Sequence, residues 1–217
     1  MPKAPDKMVG LVAATFGRTW VRDGYVYRLR SNTWPTDESL EPPVWLIKRM
    51  QGKVGTVAGS WASDLREYVT MVNCLSDEQI EAVVAADITP YYYGVIRMAG
   101  ECRGVRAAVL RLYASLDAIQ QQHLRSEGIG MAQLNPGQRV AFGDCLSRIF
   151  KTEVPPPQAA AATMHLVSDV KEREQQSGEK WIYKDAVFVF TLAGGKEEKI
   201  SFSLASMPST SVARKPE

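Results

Sequence analysis

The chain has 217 residues, 45% of them hydrophobic and 23% charged, an ordinary globular balance that suits one packed domain with arms. Its 26 lysines and arginines against 24 acids leave a net charge of +2, with an isoelectric point near 8.4. This excludes a histone-like polycation and an acidic disordered solubiliser.

The small net charge hides an uneven distribution. Residues 1–53 carry +4, 54–90 carry −5, 91–151 carry +4 and 152–217 carry −1. Adjacent blocks of opposite sign allow head-to-tail attraction between identical copies. In the third block seven of the eight cations are arginine, the planar multi-donor cation suited to phosphate and to stacking.

Residues 1–17 read as a flexible arm. Residues 19–22 and 25–30, on either side of Asp23-Gly24, have the shape of a tight hairpin, because that dipeptide tolerates positive φ. Tyr25, Tyr27 and Leu29 then alternate with Val26, Arg28 and Arg30, giving one apolar and one basic face. Residues 31–60, with Pro35, Pro42, Pro43 and three glycines, read as loop around a short apolar element at 44–50.

The middle of the chain is predicted helical. Leu65, Tyr68, Val69, Val72 and Leu75 keep helical spacing, and Ser76-Asp77-Glu78-Gln79 reads as a capping box opening a second helix through Ile80, Val83 and Val84. Thr89-Pro90 breaks it. The clearest helix spans 104–125, with Val105, Val109, Leu112, Leu116, Ile119 and His123 as a regular apolar seam. Asn135-Pro136 is a cap followed by proline at the first helical position, starting a helix through Phe142, Leu146, Ile149 and Phe150.

Pro155-Pro156-Pro157 is a stiff break, and 159–176 is predicted as one more helix. A second hairpin follows, with strands at 181–192 and 198–204 about a turn at 193–196, and the tail 206–217 is expected to be disordered. On the first of these strands Phe188, Phe190 and Leu192 share one face, while Trp181, Tyr183, Val187 and Val189 share the other. A strand apolar on both sides needs cover on both. That cover is either packing between the helices and the first hairpin or a neighbouring subunit, and in the second case the second set of four residues is the candidate contact.

Catalytic and metal chemistry find no foothold. Gly194-Gly195-Lys196 lacks the earlier glycine and the following Ser or Thr of a phosphate loop, and it precedes a strand. In one helix Cys102 and His123 would lie ~30 Å apart, beyond nucleophile–base reach. Cys145 with His123 or His165 is the remaining thiol pairing. Two histidines and three scattered cysteines, Cys74, Cys102 and Cys145, match no metal-ligand spacing and no disulfide framework, which points to a reducing compartment. Asp77-Glu78 and Glu197-Glu198 sit at a helix start and beside a turn, both solvated positions. No apolar run reaches the ~20 residues of a membrane-spanning helix. The expectation is no enzyme activity, no cofactor, no metal, no small-molecule substrate and no membrane.

One helix face remains. With Val105 at zero and about 100° per residue, the seam stays within about 40° of zero, whereas Arg103, Arg111 and Arg125 fall at about 160°, 240° and 200°. Arg106 flanks this face, Arg97 extends it upstream, and no acid is central to it. The expected nucleic-acid contacts are Arg97, Arg103, Arg106, Arg111 and Arg125, with Tyr91, Tyr92 and Tyr93 as a stacking platform for unpaired bases.

The expected fold is α+β and mainly α: a helical bundle core with an N-terminal and a C-terminal β-hairpin and flexible terminal arms. Its parts are arm and hairpin over 1–60, helical core over 61–154, and helix, hairpin and tail over 155–217, in a single compact domain with arms. In layout this resembles viral coat proteins, although no family motif is matched. The resemblance implies a self-assembling coat or nucleocapsid-type subunit, in a virion or the cytoplasm and not secreted. Its partners would be copies of itself and single-stranded nucleic acid, RNA more readily than DNA. The alternative is a protein-only structural or adaptor component, such as a phage virion or complex subunit.

Overall fold

The structure is a computed structural model that describes residues 15, 18–23, 25–31, 40, 42–51, 61–85, 93–175 and 177–209. The chain divides into two compact units, Met1–Glu41 and Pro42–Glu217. In the first, β1 (Arg18–Asp23) pairs antiparallel with β2 (Val26–Ser31), with Asp23 opposite Val26. The turn therefore falls one residue later than the Asp23-Gly24 signal suggests. Tyr25 sits in it, 95% exposed, rather than on an apolar strand face.

The second unit is α+β. It contains α1 (Val44–Gln51), β3 (Trp61–Ala62), α2 (Leu65–Cys74), α3 (Asp77–Ala85), α4 (Tyr93–Glu101), α5 (Val105–Ser115), α6 (Ala118–Ser126) and β4 (Ile129–Gly130). Then come α7 (Pro136–Phe150), the single turn α8 (Pro156–Ala160), β5 (Thr163–Glu174), β6 (Lys180–Thr191) and β7 (Glu197–Pro208). Helix starts follow local hydrogen-bond chemistry. Ser76 and Gln79 cap α3 reciprocally, at 3.2 and 2.9 Å, and Asn135 and Gln138 do the same for α7, both at 2.9 Å. Helix α4 was not expected from the sequence; it buries Met98 and Ala99.

Two helix expectations are corrected. The span 104–125 is two helices, because Leu116 turns extended at ψ 137° and Asp117 starts a new capping box with Gln120. The Asp117 carboxylate accepts the Gln120 N–H at 2.8 Å, and the Gln120 side chain accepts the Asp117 N–H at 3.0 Å. Beyond that break the seam no longer faces the core: Ile119 is 68% exposed and His123 is exposed. The span 159–176 is likewise not a helix. Helix α8 ends at Ala160, and the chain continues as β5, laddered to β6 from Thr163↔Thr191 to Glu174↔Lys180. Its Lys171-Glu172-Arg173-Glu174 run favours helix intrinsically, and pairing with a partner strand overrides that preference. The tail expected to be disordered from 206 is corrected at its start, since β7 runs to Pro208 and buries Ser206; residues 210–217 lie outside the described residues.

Strand order is β3-β7-β6-β5-β4, antiparallel throughout, with a bulge at Lys184/Asp185. Met164, Leu166, Phe188, Phe190 and Phe202 line the buried face. Each of three helices places one aromatic ring on it. Tyr68 of α2 meets Phe202 at 5.8 Å, Tyr113 of α5 meets Phe188 edge-on at 5.6 Å, and Phe142 of α7 meets Phe190 at 6.1 Å. Such pairs add about 0.5–1.5 kcal/mol each beyond the area they bury. The core is thus a helical layer on a sheet, with the strands supplying one wall of it.

Candidate functional site

The expected phosphate-binding arginines are all engaged within the chain. Arg103 donates Nε to Glu81 Oε1 at 2.8 Å and Nη2 to Glu81 Oε2, a bidentate pair with α3. Arg111 donates Nη2 to Asp77 Oδ1 at 2.7 Å and Nε to the Val72 carbonyl at 3.4 Å. Arg106 Nη1 lies 3.5 Å from Glu101 Oε2, and Arg125 Nη2 donates to the Tyr113 hydroxyl at 2.9 Å. Arg97 Nη2 reaches Ser203 Oγ on β7 at 3.4 Å.

The acids that engage this face come from outside its helix. Asp77 and Glu81 are spaced i, i+4, so α3 presents them together, Asp77 to Arg111 of α5 and Glu81 to Arg103 just before it. The Arg111 hydrogen bond holds the Asp77 carboxyl below its ordinary value, and the Arg103 hydrogen bond does the same for Glu81. The signal was present in the sequence as the −5 block beside the +4 block; the two attract within one chain. Because α5 and α6 are separate helices, Arg125 also leaves the wheel that placed it beside Arg103 and Arg111.

Of the stacking candidates, Tyr91 and Tyr92 lie outside the described residues, as does the Tyr93 side chain; the Tyr93 backbone opens α4. Of the candidate subunit contacts, Trp181 and Val187 are each 5% exposed within the single chain. Tyr183 is half-buried, carries the Arg173 guanidinium 5.7 Å from its ring and accepts a hydrogen bond from Gln175 at 3.2 Å; Val189 is half-buried too. That face therefore offers less apolar surface than the strand pattern suggests.

A cleft of about 420 Å³ lies between α5 and α7, lined among others by Asp77, Arg111, Gln138, Asp144, Cys145 and Arg148. Burial pushes the Cys145 thiol up to about 12, and no histidine is in the lining. The cleft thus holds a protonated thiol with no imidazole to activate it. Burial likewise raises Cys102 above the ordinary thiol range. His165 packs instead over Gly128, where the absence of a Cβ leaves room for the imidazole ring.

Among the described residues no three His, Cys, Asp or Glu side chains gather to hold a metal ion, and no helix is long and apolar enough to cross a membrane. No protein-family model matches the chain, and no curated protein and no solved structure shows significant similarity to it.

Proposed function

We propose that this chain is a non-enzymatic structural component that assembles with copies of itself through protein contacts, without nucleic acid. The observation that carries this reading is the occupancy of Arg103 and Arg111 by Glu81 and Asp77. Arg103 is forked onto Glu81, and Arg111 shares one N–H with Asp77 and another with the Val72 carbonyl, so a phosphate would compete with carboxylates for these guanidinium groups. Arg111 ties α5 to α3, and Arg103 ties the segment just before α5 to α3, so they have a role in the fold that needs no polyanion.

The test is the purified full chain and its triple variant R103Q/R111Q/R125Q. The protein is expected to purify with the absorbance ratio of protein alone and to be indifferent to nuclease. The triple variant is expected to melt at a lower temperature, because it loses contacts to α3 and to Tyr113. A nuclease-sensitive polynucleotide that is lost in the triple variant, with melting unchanged and with salt-dependent affinity, would establish the coat-type nucleoprotein instead.

A further inference from the structure

We propose that the outer edge of β5 pairs antiparallel with the same edge of a second copy, around a two-fold axis at Val170. The inference rests on the assembly reading above and names its contact.

The sheet ends unequally. On the far side, Ser63 N–H donates to the Leu204 carbonyl at 2.7 Å and the Tyr68 hydroxyl donates to the Ser203 carbonyl, so part of the outer edge of β7 is occupied by the chain itself. On the β5 side, β4 pairs only with Thr163 and Met164. Among the described residues no strand lies beyond the rest of β5. Residues 166–174 thus present an edge of about 30 Å at ~3.4 Å per residue. Val167 and Val170 on it are 46% and 61% exposed. A long open edge is a template for another strand, and charges on it decide which strand is accepted.

The charges on this edge are self-complementary. A two-fold perpendicular to the sheet pairs residues of the same face, Asp169, Lys171 and Arg173 on one and Val170, Glu172 and Glu174 on the other. With the axis at Val170, Asp169 faces the partner's Lys171 twice, Ser168 faces the partner's Glu172, and the two valines meet at the centre. No like charges oppose each other. Moving the axis to Asp169, Lys171 or Glu172 sets identical charges face to face, which is destabilising, and moving it to Ser168 leaves no opposite-charge pair. Asp169 and Lys171 are already in contact within one strand, so the dimer extends an existing pair into a square of alternating charge.

Light scattering and sedimentation of the full chain test the register. D169K and K171D, both at solvated positions, are each expected to weaken self-association by about tenfold or more, as like charges then face each other twice. The exchange D169K/K171D restores opposite pairs and is expected to recover wild-type association. Single variants that associate like wild type, or an exchange that fails to recover, overturn the β5 edge as the contact while assembly by another surface stands. A wild-type chain that is monomeric throughout overturns both.

Discussion

Arg111 of α5 reaches across to Asp77 at the first turn of α3, Nη2 to Oδ1, at 2.7 Å. One turn further along α3, Glu81 pairs with Arg103, which lies just before the start of α5. The Asp77 side chain is 65% exposed, so the pair contributes at most about 1 kcal/mol. D77N is expected to cost that amount at neutral pH. Arg111 depresses the folded carboxyl below the 3.8 of an unperturbed aspartate. The contribution is therefore complete above about pH 4 and fades as the pH falls through the lower folded value. Urea melts of wild type and D77N should differ at pH 7 and converge in strong acid.

Phe202 is fully buried, with Tyr68 at 5.8 Å on one side and Phe188 edge-on at 5.8 Å on the other. It joins α2 to the centre of the sheet. F202A removes both ring contacts and leaves a cavity between rigid walls, at an expected cost of about 3–5 kcal/mol in chemical denaturation. A cost under about 1 kcal/mol would mean that the sheet and helices do not share one core.

Gly128 has φ +86°, and a Cβ there would lie 2.1 Å from His165 Nε2. G128A carries two separate penalties, a left-handed backbone and a steric clash. The single variant is expected to lose about 2 kcal/mol or more. In the background H165A the loss should drop to the backbone part, about 1 kcal/mol. A double-mutant cycle in denaturant measures the difference.

Cys74 is exposed while Cys102 and Cys145 are buried with raised pKa values. A thiol reagent at neutral pH should therefore titrate one cysteine per native chain and all three in denaturant. Rapid native reaction of Cys145 would show that the α5–α7 cleft admits reagents to a reactive thiol.

The legible parts of the fold are those set by neighbours in sequence. Ser76 with Gln79 and Asn135 with Gln138 announce α3 and α7, because a capping box is closed within four residues. Asp117 with Gln120 is the same device, yet it lies inside an unbroken apolar seam and is masked by it. β5 is illegible for another reason. Its polar run is helical by propensity, and only the ladder to β6 across Glu174↔Lys180 and beyond makes it a strand. The engagement of the arginine face by acids was hidden in the same way. The arginine face was visible on a helical wheel, but the acids that meet it come from α3 and α4, and their approach is a tertiary fact that one helix cannot express.

The account stands on the chain assembling by itself. Sedimentation equilibrium of the full chain over increasing concentration measures this directly. The prediction is a homo-oligomer whose mass is a multiple of 24.0 kDa and whose absorbance is that of protein alone. A single species of 24.0 kDa at every concentration, or a higher mass that disappears on nuclease treatment, would contradict it.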